Sequence, residues 1–158
     1  MRRIDIYTDG SCNAQTKVGG YGVYVKEDDS EIVIHQGYTG TTTARMEMRA
    51  VLHAVRLAPY DSVDVYIHSD SQFIVRAFKE GWLSRWRTAG FVGVKNAPIW
   101  KTIVFEMAKR SQAHFHIRWL HGHQKDILDD TIFGNTVADA LADYKNQESY
   151  IKDTDDSI

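Results

Sequence analysis

Four of the 21 acidic residues stand apart by position. Asp9 closes a strand-like run at Thr8-Asp9-Gly10-Ser11, and Asp70 closes another at His68-Ser69-Asp70-Ser71. Glu47 lies one turn into a helical stretch, three residues after Ala44 and four before Val51, so it borders the apolar stripe. Asp139 lies one turn into a last helix among Val137, Ala138, Ala140 and Leu141. Acids at strand ends and on the sheet-facing turns of helices converge. Converging carboxylates repel one another and lose hydration unless cations compensate. Hard oxygen ligands select Mg2+ or Mn2+. Two such ions about 4 Å apart activate a water and stabilise a leaving oxygen in phosphodiester cleavage. Taken singly, each acid is more simply a turn or cap residue, because Asp-Gly and Asp-Ser are common turn and cap pairs. The set of four carries the chemistry.

Periodicity supplies the elements that must hold these acids. Arg3 to Thr8, Gly19 to Val25 and Glu31 to Tyr38 alternate as strands joined by short links, which predicts an antiparallel meander. Thr41-Thr42-Thr43 starts a helix that runs to Leu57 and stops before Pro59. Its apolar stripe is Met48, Val51, Leu52, Val55 and Ala58. Val63, Val65 and Ile67 mark a fourth strand, and Ser71 to Phe78 a second helix. Gly81 to Asn96 reads as irregular with a short helix. Pro98 opens a third helix ending near Arg110. His114 to Leu120 is a fifth strand, and His121 to Gly134 reads as a long polar loop. Asn135 is expected to cap a last helix reaching Tyr144. Residues 147–158 are acidic and polar and are expected to be a disordered tail behind a domain at 1–146. Strands followed by alternating helices and strands predict an α/β fold with a five-stranded mixed sheet flanked by helices.

Composition fits one soluble domain: 158 residues, 43% apolar and 25% charged. No apolar run approaches a membrane span, and no basic-then-apolar leader is expected at Met1-Arg2-Arg3. One cysteine cannot form an internal disulfide, so a cytoplasmic location is expected. No apolar face is left over, so a monomer with no obligate protein partner is expected. The net charge of −2 argues against nucleic-acid binding, but its distribution argues for it. Residues 76–110 hold eight basic residues against Glu80 and Glu106, a net of +6, whereas residues 126–158 carry −7. A basic segment in a neutral protein is a phosphate-binding surface or a solvated helix face, and charge alone leaves both open.

The ordered segments Tyr7-Thr8-Asp9-Gly10-Ser11-Cys12, Gly19-Gly20-Tyr21-Gly22, Ala44-Arg45-Met46-Glu47-Met48, Ser69-Asp70-Ser71-Gln72, Trp119-Leu120-His121-Gly122-His123 and Asn135 to Ala142 resemble the successive motifs of type 1 ribonuclease H. Each motif is weak alone; six in order are specific. The resemblance implies the ribonuclease H-like fold. It also implies endonucleolytic cleavage of the RNA strand of an RNA–DNA hybrid with two Mg2+ ions, replaceable by Mn2+, leaving 3′-hydroxyl and 5′-phosphate ends. Asp9, Glu47, Asp70 and Asp139 match the metal-binding carboxylates, and His123 matches a mobile histidine that aids proton transfer or product release. The family reads hybrids by shape and 2′-hydroxyls. The matching positions are Gly10, Ser11, Cys12, Gln15, Thr43, Gln72 and Asn135. Thr42 and Asn96 fall where the family grips a DNA-strand phosphate, and Trp82 where an aromatic packs on a DNA sugar. Trp86 reads as core.

Some positions depart from the family pattern. Thr43 and Ala44 stand where asparagines are common, and an alanine cannot hydrogen-bond a sugar. The protrusion at 87–95 holds few basic residues, which predicts a shallow salt dependence. The loop after His123 is long and carries Asp126, Asp129 and Asp130. His121 replaces a common lysine. Two alternatives stay open: another nuclease on the same fold, or a hybrid-binding module with weak catalysis.

Overall fold

A computed structural model describes residues 2–120 and 130–158. Strands β1 (Arg3–Cys12), β2 (Gly19–Glu27) and β3 (Ser30–Thr39) form the antiparallel meander. Helix α1 (Thr43–Leu57) crosses to β4 (Val63–Ser69), which lies parallel to β1. Helices α2 (Gln72–Lys79), α3 (Trp82–Thr88) and α4 (Ala97–Lys109) lead to β5 (Ala113–Trp119), parallel to β4. Helix α5 (Asp130–Leu141) follows, then a short β6 (Tyr150–Lys152) parallel to β3 and a 3-10 turn at Asp155–Ser157. The strand order is β5-β4-β1-β2-β3-β6. The mixed α/β sheet is as expected, with β6 as an added sixth strand.

Side-chain alternation along β1 sets the two faces. Ile4 and Ile6 point to the main core beneath α1, with Met46, Val51, Val65, Ile67, Ile103 and Trp100. Tyr7 points the other way and packs with Tyr24 of β2 and Ala138 of α5. One helix layer therefore lies on each face, and β1 is central between them.

Two glycines let the layers close on the strand that carries Asp9. A Cβ on Gly10 would sit 2.5 Å from the Glu47 backbone nitrogen and 2.6 Å from the Met46 carbonyl carbon. A Cβ on Gly22, which pairs with Asp9, would sit 2.6 Å from the Ala138 carbonyl oxygen. Both distances are inside van der Waals contact, so only a bare backbone permits these approaches.

Two boundaries differ from expectation. Helix α5 begins at Asp130, so 130–134 are helical and Asn135 lies inside the helix instead of capping it. Residues 147–158 are not a disordered tail: β6 pairs with Gly37–Thr39, and the Asp153 side chain is fully buried against Arg45 and Arg49. Burial of an acid between two guanidinium groups overrides the polar composition that suggested fraying.

Candidate metal centre

Asp9 lies near the end of β1, and Asp70 follows β4. The two strands run parallel and side by side, with Thr8 opposite Ser69. Parallel neighbours end together, so their terminal acids share one edge of the sheet. Glu47 comes down from α1 at the Gly10 contact. Asp9, Glu47 and Asp70 bring carboxylate oxygens within 4.8 Å of one another. Asp9 is 5% exposed and Glu47 7%. Asp139 lies outside this group, exposed on α5 but within hydrogen-bonding reach of Asp9.

Burial and mutual repulsion raise the Asp9 and Glu47 carboxyls of this cluster. Burial, the charge of Asp70 and the hydrogen bond with Asp139 push the Asp9 carboxyl up to about 8, against the lowering effect of the Gly10 N–H that it accepts at 2.9 Å. Burial and the charges of Asp9 and Asp70 hold Glu47 well above the usual carboxylate range. Its Oε2 is buried with no hydrogen-bond partner. An orphaned carboxylate oxygen beside two further acids fits a hard divalent cation. These residues would hold such an ion.

The other expected site residues divide into two groups. Thr42 caps α1, accepting the Arg45 N–H on its hydroxyl at 3.2 Å, and both it and Thr43 are exposed. Asn96 caps α4 in a left-handed conformation, and its Oδ1 accepts from Arg45 at 3.1 Å. Gln72 is exposed at the start of α2, and Gln15 is exposed in the turn after β1. Trp82 is half-buried against Trp86, which in turn packs on Trp100 at 5.4 Å between ring centres. The second group is Gly10, Ser11, Cys12 and Asn135, which are buried or half-buried. Gly10 is buried beneath α1. The Ser11 hydroxyl donates to the Ala142 carbonyl and accepts the Tyr144 N–H, tying down the end of α5. The Cys12 thiol is partly buried near the Thr41 carbonyl, and burial raises its pKa. Asn135 is half-buried within α5. His123 lies outside the described residues, as do His121, Asp126 and Asp129.

The sequence reading missed Asp153. It accepts from Arg45, Arg49 and Thr41, and no local pattern distinguished it from the other tail acids.

The RNase H family model matches residues 1–147, nearly the whole chain. The chain belongs to the RNase H family. Ribonuclease H of Albidiferax ferrireducens is 37% identical over 146 residues, covering 90% of this chain and 93% of that protein. Ribonuclease H of Herminiimonas arsenicoxydans is 35% identical over 146 residues, with the same coverage of 90% and 93%. Ribonuclease H of Moorella thermoacetica is 33% identical over 155 residues, covering 94% and 97%. The crystal structure of LC9-RNase H1, a type 1 RNase H with the type 2 active-site motif, superposes with a TM-score of 0.73 at 24% identity, covering 90% of this chain and 71% of that one. That likeness shows the fold. The family and the fold agree with the expectation from the six motifs.

Proposed function

We propose that this chain is a divalent-metal-dependent ribonuclease H that cuts the RNA strand of RNA–DNA hybrids, with Asp9, Glu47, Asp70 and Asp139 holding two Mg2+ ions. The observation that carries the proposal is the cluster of Asp9, Glu47 and Asp70 with its orphaned Glu47 oxygen, in a chain of the RNase H family. Mn2+ substitutes, because the donor set is all oxygen. When bound, the ions polarise the attacking water and neutralise charge on the scissile phosphate.

The chain's own residues do the rest. Asp9 and Glu47, buried and crowded together, release their protons on loading. Asp139, at the exposed edge of the cluster, orients the attacking water. His123 moves a proton as the product leaves. The expected ends are 3′-hydroxyl and 5′-phosphate. Thr42 and Asn96 grip a phosphate of the DNA strand, Trp82 packs on a DNA sugar, and the exposed Thr43, Gln72 and Gln15 face the minor groove. Gly10, Ser11, Cys12 and Asn135 complete the hybrid-binding set, and the Ser11 hydroxyl also ties down the end of α5. The protein works as a cytoplasmic monomer. Among the described residues no helix is long and apolar enough to cross a membrane.

The test uses labelled RNA–DNA, RNA–RNA and DNA–DNA duplexes with Mg2+, Mn2+ or chelator. Only the hybrid's RNA strand is cut, chelator abolishes cleavage, and Asp70→Asn lowers the rate by roughly 10³-fold, about 4 kcal/mol of barrier. An uncut hybrid, or a fully active Asp70→Asn, refutes the assignment.

A further inference from the structure

Asp153 has no exposed side-chain surface and five hydrogen bonds. Its Oδ2 accepts from Arg45 Nε at 2.7 Å and from the Thr41 hydroxyl at 2.7 Å. Its Oδ1 accepts from Arg45 Nη2 at 2.9 Å, and from Arg49 Nε and Nη2 at 3.1 and 2.6 Å. Its own N–H donates to the Thr39 carbonyl at 2.9 Å, continuing the β3–β6 pairing. The C-terminal segment thus reaches the start of α1 and fixes it there.

Arg45 has one guanidinium nitrogen left after this grip. Nη1 donates to Asn96 Oδ1 at 3.1 Å. Only the amide oxygen can accept from a guanidinium, so this bond settles which end of Asn96 faces Arg45. The Nδ2 donor is therefore turned away. Asn96 makes no side-chain cap to its own helix, although it occupies the cap position of α4. A cap residue that forgoes its cap to accept from an arginine has its orientation set from outside the helix. Thr42 belongs to the same unit, since its hydroxyl receives the Arg45 backbone N–H.

We propose that Asp153 is a positioning residue for the DNA strand: acting through Arg45, it holds Asn96 with its amide donor turned toward a backbone phosphate beside Thr42. The inference rests on the ribonuclease H reading and adds to it a residue of the C-terminal segment. A carboxylate that fixes both Nε and Nη2 leaves the guanidinium no rotational freedom, so Nη1 always points at Asn96. Without it only the exposed Asp155 holds Arg45, through Nη2 at 3.0 Å, so the guanidinium can turn about that single contact and the Asn96 amide can flip its oxygen toward the phosphate.

Asp153 also ties β6 to the domain, so melting temperature alone cannot test the idea. The discriminating substrate is a hybrid whose DNA strand carries one neutral methylphosphonate, moved along the strand in turn. In wild type one position raises KM about five- to tenfold with kcat nearly unchanged, as expected for lost uniform binding. In Asp153→Asn the unmodified hybrid already shows that rise, and the methylphosphonate adds nothing more, as coupled groups require. Arg45→Lys keeps a cation beside Asp153 but cannot reach Asn96 as well, and it gives the same KM rise if Asp153→Asn does not fold. A wild-type KM in a folded Asp153→Asn or in Arg45→Lys, or a methylphosphonate penalty of equal size in variant and wild type, overturns the proposal. If wild type itself leaves the hybrid uncut, the ribonuclease reading has failed instead.

Discussion

Glu47 Oε2 and the Asp9 carboxyl are the atoms at which folding and chemistry oppose each other. Both acids are buried, and Glu47 Oε2 has no partner. Glu47→Gln removes a carboxyl that burial and its acidic neighbours resist ionising, so the metal-free protein gains about 1–2 kcal/mol where pH is high enough to ionise Glu47, while activity falls sharply. Thermal melting in chelator, set beside cleavage rates in Mg2+, checks this; a less stable Glu47→Gln with normal activity would count against the metal role. Asp9 adds a pH signature. Its folded pKa is raised to about 8, above the unfolded value. A raised acid contributes stability that is present in full below the unfolded pKa of about 4 and is lost as pH rises through the folded value. The metal-free protein therefore weakens as pH rises from about 4 to 8, and divalent metal cancels that loss by binding the ionised form. The melting-temperature gap between Mg2+ and chelator widens across this range. A gap that stays constant with pH contradicts the assignment.

At the scale of elements, the site depends on how closely α1 and α5 approach β1 and β2. Gly10→Ala places a Cβ 2.5 Å from the Glu47 nitrogen, and backbone cannot yield as a side-chain tip can. The expected cost is about 2–3 kcal/mol or more. Gly22→Ala meets the Ala138 carbonyl at 2.6 Å and pushes α5, with Asp139, away from Asp9. Activity should fall about tenfold or more at a temperature where circular dichroism shows the variant folded. Full activity in folded Gly22→Ala would mean that Asp139 need not stay near Asp9. These elements were legible in the sequence because alternation in β1–β5 and the 3–4 residue stripe of α1 are local signals. Asp9, Glu47 and Asp70 were legible because they sit at ends that topology must bring together. Asn135 misled, since an asparagine before an apolar run imitates a cap, whereas α5 already begins at Asp130. Asp153 was illegible because its meaning lies in Arg45 and Arg49, more than 100 residues earlier. The bonds of the Ser11 hydroxyl to Ala142 and Tyr144 were illegible for the same reason, since both partners lie more than 100 residues later.

Across the whole molecule, the charge available to a hybrid is smaller than the sequence count. Arg110 is buried, donating to Glu106 at 2.8 Å and to the Ala58 and Arg56 carbonyls. Lys109 lies 3.6 Å from the same Glu106 carboxylate. Arg76, Lys79, Arg85, Arg87, Lys95 and Lys101 remain exposed with no acidic partner among the ion pairs of the described residues. Six exposed cations on one segment of a chain with net charge −2 concentrate the attraction for polyanions there instead of spreading it over the molecule. A hybrid that follows this patch from Trp82 to the metal centre cannot touch all six at once, so about three to five phosphates are neutralised. At about 0.9 counterions released per contact, raising salt from 50 to 200 mM weakens binding about 40- to 500-fold. The measurement is the dissociation constant of the Asp70→Asn protein for a hybrid in Mg2+ across that range. A log–log slope steeper than about −7 would require more contacts than the exposed patch can supply, and the hybrid would then have to run along a different surface.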